Sequence, residues 1–296
     1  METYYAPIIR SPHPFFPFYP LSAQAYALQK VFHTYVKAHR GRFKFRDEAW
    51  QSVALQNQPA PAYVDESHRN AANAVDSFCR ASGISSCHQI VYIAGSNNHV
   101  YNYTSSAFFF LLCALYQGTL FHKITADQCI RQLGWLSQIP SQAEAIFKHT
   151  YDMKWFTKLK ALRGTMLFAG DGVGRALADE AEHLMSGIAT CKSVCVKDIP
   201  SVLQEGDNSL FMAFVLSKRD YLWAVPLFEL AKEKGVCAAA ITMRSLQKEM
   251  FSYTDACLPF PTVEPIALPV LGIMPLQVFA NDIALTKGLR AHSMLQ

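Results

Sequence analysis

The chain has 296 residues, 51% of them hydrophobic, with 27 Lys and Arg against 23 Asp and Glu for a net charge of +4. That much apolar material can bury a sizeable core in one large domain or two of roughly 150 residues, and so mild a charge, with no basic run interleaved with aromatics, argues against a nucleic-acid partner. The eight cysteines are scattered. Several of them sit in apolar runs, and Cys191 and Cys195 form a C-x3-C pair with no second pair. The pattern therefore predicts neither a zinc site nor a disulfide framework, and it suits a reducing, cytoplasmic compartment. Met1 is followed by an acid and many prolines rather than by the basic start of a secretory signal. The longest apolar run, Ser106 to Tyr116, is only about half a membrane span, so no membrane partner is expected.

In chain order, residues Leu21 to His39 are predicted helical, Ser52 to Leu55 a strand, and Val64 to Arg80 a helix. Gln89 to Ala94 is a strand, followed by a polar loop, Gly95 to Ser106, and a buried helix over Ser105 to Phe121. Ser141 to Leu159 is mostly helical. The second half is cleaner. Met166 to Ala169 is a strand ended by a turn carrying Gly170, Gly172 and Gly174, and Ala176 to Ile188 has helical spacing. Ser193 to Val196 is a short strand. Ser209 to Leu216 is a continuous apolar run, as expected of a strand buried on both faces. Tyr221 to Lys234 reads as a helix capped by Asp220 and kinked or shortened by Pro226. Val236 to Met243 and Ala256 to Phe260 are further strands, and Ile266 to Lys287 is a long apolar helix broken near Pro269 and Pro275. Alternating strands and helices predict a parallel, doubly wound α/β sheet. The pattern divides into two flavodoxin-like, three-layer units, residues 1–150 and 151–296. Ligands in such sheets bind beyond the carboxyl ends of the strands.

The glycine turn does not fit a dinucleotide-binding loop, because the third glycine of a G-x-G-x-x-G pattern comes one residue early. No cofactor and no metal are expected.

The stretch Val263 to Gly288, with Pro275-Leu276-Gln277 and the closing Lys287-Gly288, resembles the end of an isomerase domain of the sugar isomerase (SIS) family. Leu167 to Gly172 is similar to the opening of that family's second unit, and Tyr103 to Phe109 to the segment that closes its first. The resemblance implies two SIS-type units, the first degenerate, a small-molecule substrate or ligand of sugar type, and a homodimer. It also implies a structural role for the second glycine turn, with the phosphate loop in the first unit.

Against that pattern the functional positions have changed. The family's Ser-Gln-Ser-Gly-Glu-Thr phosphate loop falls on Gln56, Asn57 and Gln58, where Pro59 replaces the glycine and removes a backbone donor. Tight binding of sugar phosphates is therefore not expected. The glutamate base falls on Gly187 or Ser186, the ring-opening histidine loop on Val196 to Gly206 without a histidine, and the tail lysine nearest to His292. The polar residues left to replace them are His99, Glu182, His183 and His292 as acid/base candidates. Asn97, Asn98, Thr104 and Ser105, together with Gln56, Asn57 and Gln58, are candidates for binding ligand hydroxyls. Glu180 and His183, three apart, share a helix face. The polar loops favour a divergent enzyme working on a polar carbonyl or amino compound, by isomerisation or C–N chemistry. A non-catalytic binder or regulator is the alternative.

Overall fold

A computed structural model describes residues 43–44, 66–84, 92–93, 99–120, 123–147, 164–203 and 209–286. Ten α-helices and seven strands lie among these residues. The first half contributes β1 (Phe43–Lys44), α1 (Glu66–Ser82), β2 (Tyr92–Ile93), α2 (His99–Leu120), α3 (Ala126–Ser137) and α4 (Ile139–Phe147). The second contributes β3 (Met166–Ala169), α5 (Val173–Met185), β4 (Cys191–Ser193), α6 (Ile199–Val202), β5 (Leu210–Val215) and α7 (Lys218–Glu233). It ends in β6 (Cys237–Met243), α8 (Arg244–Met250), β7 (Ala256–Phe260), α9 (Leu268–Leu271) and α10 (Met274–Thr286).

The five second-half strands form one parallel sheet in the order β4-β3-β5-β6-β7. The order reverses between β3 and β5, which is the switch point of a doubly wound fold. β5 is buried along its whole length, and its side chains alternate between two cores. Leu210, Met212 and Phe214 join Phe168 and Ile241 on one face, packed under α5, α9, α10 and the first-half helices. Phe211, Ala213 and Val215 join Leu167, Ala238 and Ala240 on the other, under α7 and α8. The result is three layers, α/β/α, as the sequence pattern predicts.

Local chemistry sets the helix ends. α7 is capped by Ser217, whose hydroxyl accepts from Asp220 N–H, and not by Asp220 as expected. The Asp220 carboxylate instead turns back to accept from Leu216 N–H at 3.0 Å and Ser217 Oγ at 2.9 Å. α7 closes on Gly235 (φ 70°), with Val236 N–H donating to Ala231 O at 2.8 Å. α1 closes in the same way on Gly83 (φ 68°), with Ile84 N–H donating to Cys79 O at 2.9 Å. α7 runs through Pro226 from Lys218 to Glu233. The carbonyl that the proline cannot serve belongs to Leu222, which is 76% exposed, so water can take its place. The C-terminal apolar segment does break, but at Gly272 and Ile273, between α9 and α10. The segment Pro265–Leu285 is long and apolar enough to cross a membrane by composition, yet 83% of its most apolar 18 residues are buried in this core.

The first half departs from expectation. Its described strands are one two-residue antiparallel ladder, Phe43 opposite Ile93 and Lys44 opposite Tyr92, and not a parallel sheet. Ser52 to Leu55, Leu21 to His39 and the boundary near residue 150 lie outside the described residues. What is described is helical and lies on the second-half core, α1 against α5 and α2 against α1. The helix expected to start at Ser105 begins at His99. α3 was not foreseen, although its Thr125-x-x-Gln128 capping box is complete, with Thr125 N–H donating to Gln128 Oε1 at 2.7 Å and Gln128 N–H to Thr125 Oγ1 at 3.2 Å.

Candidate functional site

The glycine turn between β3 and α5 lies at the switch point, the natural ligand crevice of this architecture. Its glycines serve close packing. A Cβ on Gly170 would lie 2.3 Å from the carbonyl carbon and oxygen of Gly174, so the first turn of α5 folds directly onto the end of β3. Gly172 caps α5 at φ 54° with no side-chain bond. Leu216, 4% exposed, fills the space beside the turn: its two Cδ atoms lie 3.8 Å from where a Cβ would stand on Gly174 and on Gly272. Leu216 therefore packs between the glycine turn and the break that separates α9 from α10.

α5 carries the acidic candidates, and each carboxylate has a structural task. Glu182 accepts from Ser193 N–H at 2.8 Å and so secures the end of β4. Asp179 accepts from Ser193 Oγ at 2.6 Å and from Arg175 Nη2 at 2.8 Å. Glu180 points the other way, toward α1. It is 1% exposed, and its two oxygens accept from Ser67 Oγ and Asn70 Nδ2, each at 3.0 Å. Ser67 and Asn70 interrupt the inward apolar stripe of α1 formed by Ala71, Ala74, Val75 and Phe78. That interruption was the signal in the sequence for a buried polar partner. Tyr103 of α2, fully buried, donates its hydroxyl to Pro269 O at 2.8 Å. Burial first, and the nearby Glu180 charge second, hold its pKa well above the ordinary value.

Of the expected acid/base set, only Glu182 and His183 have described side chains. Glu182 faces β4, and His183 lies half-buried in the last turn of α5. His99 is the first residue of α2 rather than part of a loop. Thr104 is half-buried on α2, next to Tyr103, with Ser105 following it on the same helix. Gln56, Asn57, Gln58, Asn97, Asn98 and His292 lie outside the described residues. Neither thiol of the C-x3-C pair is fully buried. Cys191 is half-buried, pushed up to about 11 by burial and then by the Glu182 charge, and Cys195 is exposed. No group of three metal-ligating side chains occurs among the described residues.

No family model and no curated protein matches the sequence. Solved structures do match in shape. The C-terminal domain of glucosamine-fructose-6-phosphate aminotransferase from Francisella tularensis superposes with a TM-score of 0.54 at 15% identity, covering 62% of this chain and 55% of that one. The chain has the sugar isomerase (SIS) fold. It spans about half the length of that solved chain. Tagatose-6-phosphate ketose/aldose isomerase from Escherichia coli aligns at 16% identity and a TM-score of 0.41, over 62% of this chain and 51% of that one. The sugar isomerase domain of the RpiR transcription factor from Sphaerobacter thermophilus aligns at 16% and 0.44, over 55% and 94%.

Proposed function

We propose that this SIS-fold protein binds a hydroxyl-rich sugar derivative without transforming it. The observation that carries the reading is the employment of the α5 carboxylates. Glu182, the acid closest to a base in the resemblance, is held on Ser193 N–H, and Glu180 is sealed between α5 and α1. A general base must reach the proton it removes, either directly or through one water. A carboxylate committed to a strand end, or 1% exposed, is poorly placed to do so. Gln56, Asn57, Gln58, Asn97, Asn98, Thr104 and Ser105 supply amides and hydroxyls suited to ligand hydroxyls. Pro59 and the missing serines disfavour a phosphate. The enzyme reading, with His99, His183 and His292 as the acid/base set, is the rival.

One experiment separates them. Calorimetric titration with glucosamine, N-acetylglucosamine, fructose 6-phosphate and glucose 6-phosphate should give a saturable response to the neutral or amino sugars. The phosphates should bind no tighter than about 100 μM, near −5.5 kcal/mol. Proton NMR of the same mixtures should show the ligand unchanged. Catalytic conversion would restore the enzyme reading. Binding of none of the sugars would remove both.

A further inference from the structure

The Pro275-Leu276-Gln277 step opens α10, a helix buried on nearly every side: from Met274 to Ala280 only Val278 is half-exposed. In this apolar setting Gln277 is 6% exposed. Neither its Oε1 nor its Nε2 has a hydrogen-bond partner among the described residues. Its backbone N–H donates to Ile273 O at 3.1 Å, so the unmet demand belongs to the carboxamide alone. α10 packs against α4, whose buried residues are Ile139 and Ile146, with Gln142 half-buried between them. Gln142 Oε1 is likewise buried without a partner. Native proteins seldom leave such groups unmet, and each case asks for an explanation.

The chemistry narrows the occupant. Two amide oxygens need donors and one amide nitrogen needs an acceptor. Flipping the Gln277 amide exchanges its two atoms and leaves the demand unchanged. A cation would satisfy the oxygens and oppose the NH2 group, and an anion would do the reverse. A hydroxyl group both donates and accepts. We propose that Gln277 and Gln142 mark a buried hydroxyl-binding site in the helical layer formed by α4 and α10. Its hydroxyls come from internal water or from a neutral polyol. The proposal uses none of the loop residues proposed above for the sugar derivative, and its test does not depend on them.

The test compares the full chain with Gln277→Met, which keeps an unbranched side chain of similar length and removes both polar atoms. Thermal melts are run with and without millimolar glucitol, and a high-resolution crystal structure of the wild type is determined. The expected result is a melting temperature at least about 3 °C lower in Gln277→Met. An ordered oxygen should also lie within about 3.2 Å of the Gln277 carboxamide. A saturable rise with glucitol in the wild type, absent from Gln277→Met, identifies the polyol; no rise identifies water. An unchanged or higher melting temperature in Gln277→Met overturns the proposal. If that variant fails to fold, the crystal structure decides: a dry carboxamide, or one bonded to another part of the chain, overturns it equally.

Discussion

Removing the Glu180 carboxylate tests how the first-half helices are fastened to the sheet. Glu180→Ala deletes the acceptor of Ser67 Oγ and Asn70 Nδ2, two bonds of 3.0 Å between groups no more than 2% exposed. Hydrogen bonds to a charged group contribute about 1.5–3 kcal/mol each. They do not simply add, because truncation also relieves the cost of keeping a carboxylate out of water. Against that relief stand the Asn70 amide stripped of this acceptor and a cavity four heavy atoms in size. Breaking one side of a buried charged pair typically costs about 3–5 kcal/mol. Ser67 and Asn70 are neutral, so for these two bonds the lower end applies, and about 3 kcal/mol is expected for Glu180→Ala. Glu180→Gln keeps the shape but points an NH2 group at one of two donors, and about 1–2 kcal/mol is expected. Urea unfolding gives both values from midpoints at constant slope. The Asn70→Ala/Glu180→Ala double mutant should be less destabilised than the sum of its singles, by about 0.5 kcal/mol or more. If both Glu180 variants melt within about 0.5 kcal/mol of wild type, the carboxylate does not fasten α1 and the argument is wrong.

The glycine turn should respond in reverse of its dihedral angles. Gly170→Ala should cost about 3 kcal/mol, since a Cβ 2.3 Å from Gly174 backbone forces α5 off the strand. Gly172→Ala meets open space, so only its backbone, at φ 54° and ψ −117°, is strained, and about 2 kcal/mol is expected; a larger loss than in Gly170→Ala in urea melts would contradict the close-approach account. Stability should also fall in alkali. Burial pushes the Cys191 and Cys257 thiols up to about 11 and holds Tyr103 above its ordinary 10.0. The native state thus keeps protons that the unfolded chain releases, and their contribution is complete below the unfolded values and lost as pH rises through the folded ones. Urea midpoints should decline from about pH 9 upward, and less steeply in Cys257→Ser; a flat profile would show that these groups are not withdrawn from water.

The second half was legible because each central strand is a continuous apolar run between helices, a pattern with few other readings. Its errors were local. Ser217-x-x-Asp220 is a capping pattern in which either residue can be taken for the cap, and the backbone chose the serine. The first half was less legible for a physical reason. The polar stretch from Asn97 to Ser106 reads as a loop, yet α2 already begins at His99 and buries Tyr103 completely. Tyr103 meets its partner, the Pro269 carbonyl, 166 residues away, and no local pattern records that. The same holds for the site. Glu182 looks like a spare acid in a helical repeat until Ser193 N–H is seen to use it, and Glu180 until α1 is laid beside it.

Leu216 carries the remaining argument, because it packs beside the switch point where a ligand of such a sheet would bind. Doubly wound sheets bind ligands where strand order reverses, and here that point lies between β3 and β5. Leu216 follows β5 and its backbone N–H is tied to Asp220, so its direction is fixed. Its methyls lie against Gly174 on one side and Gly272 on the other. Neither neighbour can close in easily. Gly174 already abuts Phe214 and the end of β3, and Gly272 abuts Leu177 and the Leu268 carbonyl. A Leu216→Ala cavity would therefore collapse little, and the cost should sit in the upper half of the usual range, about 4 kcal/mol. Leu216→Ala should melt that much earlier in urea, while calorimetric affinity for whichever sugar derivative binds stays within about threefold of wild type below the transition. A loss under about 1.5 kcal/mol would mean the crevice is loose. A large loss of affinity in a folded Leu216→Ala protein would place the ligand at this switch point and not in the first-unit loops.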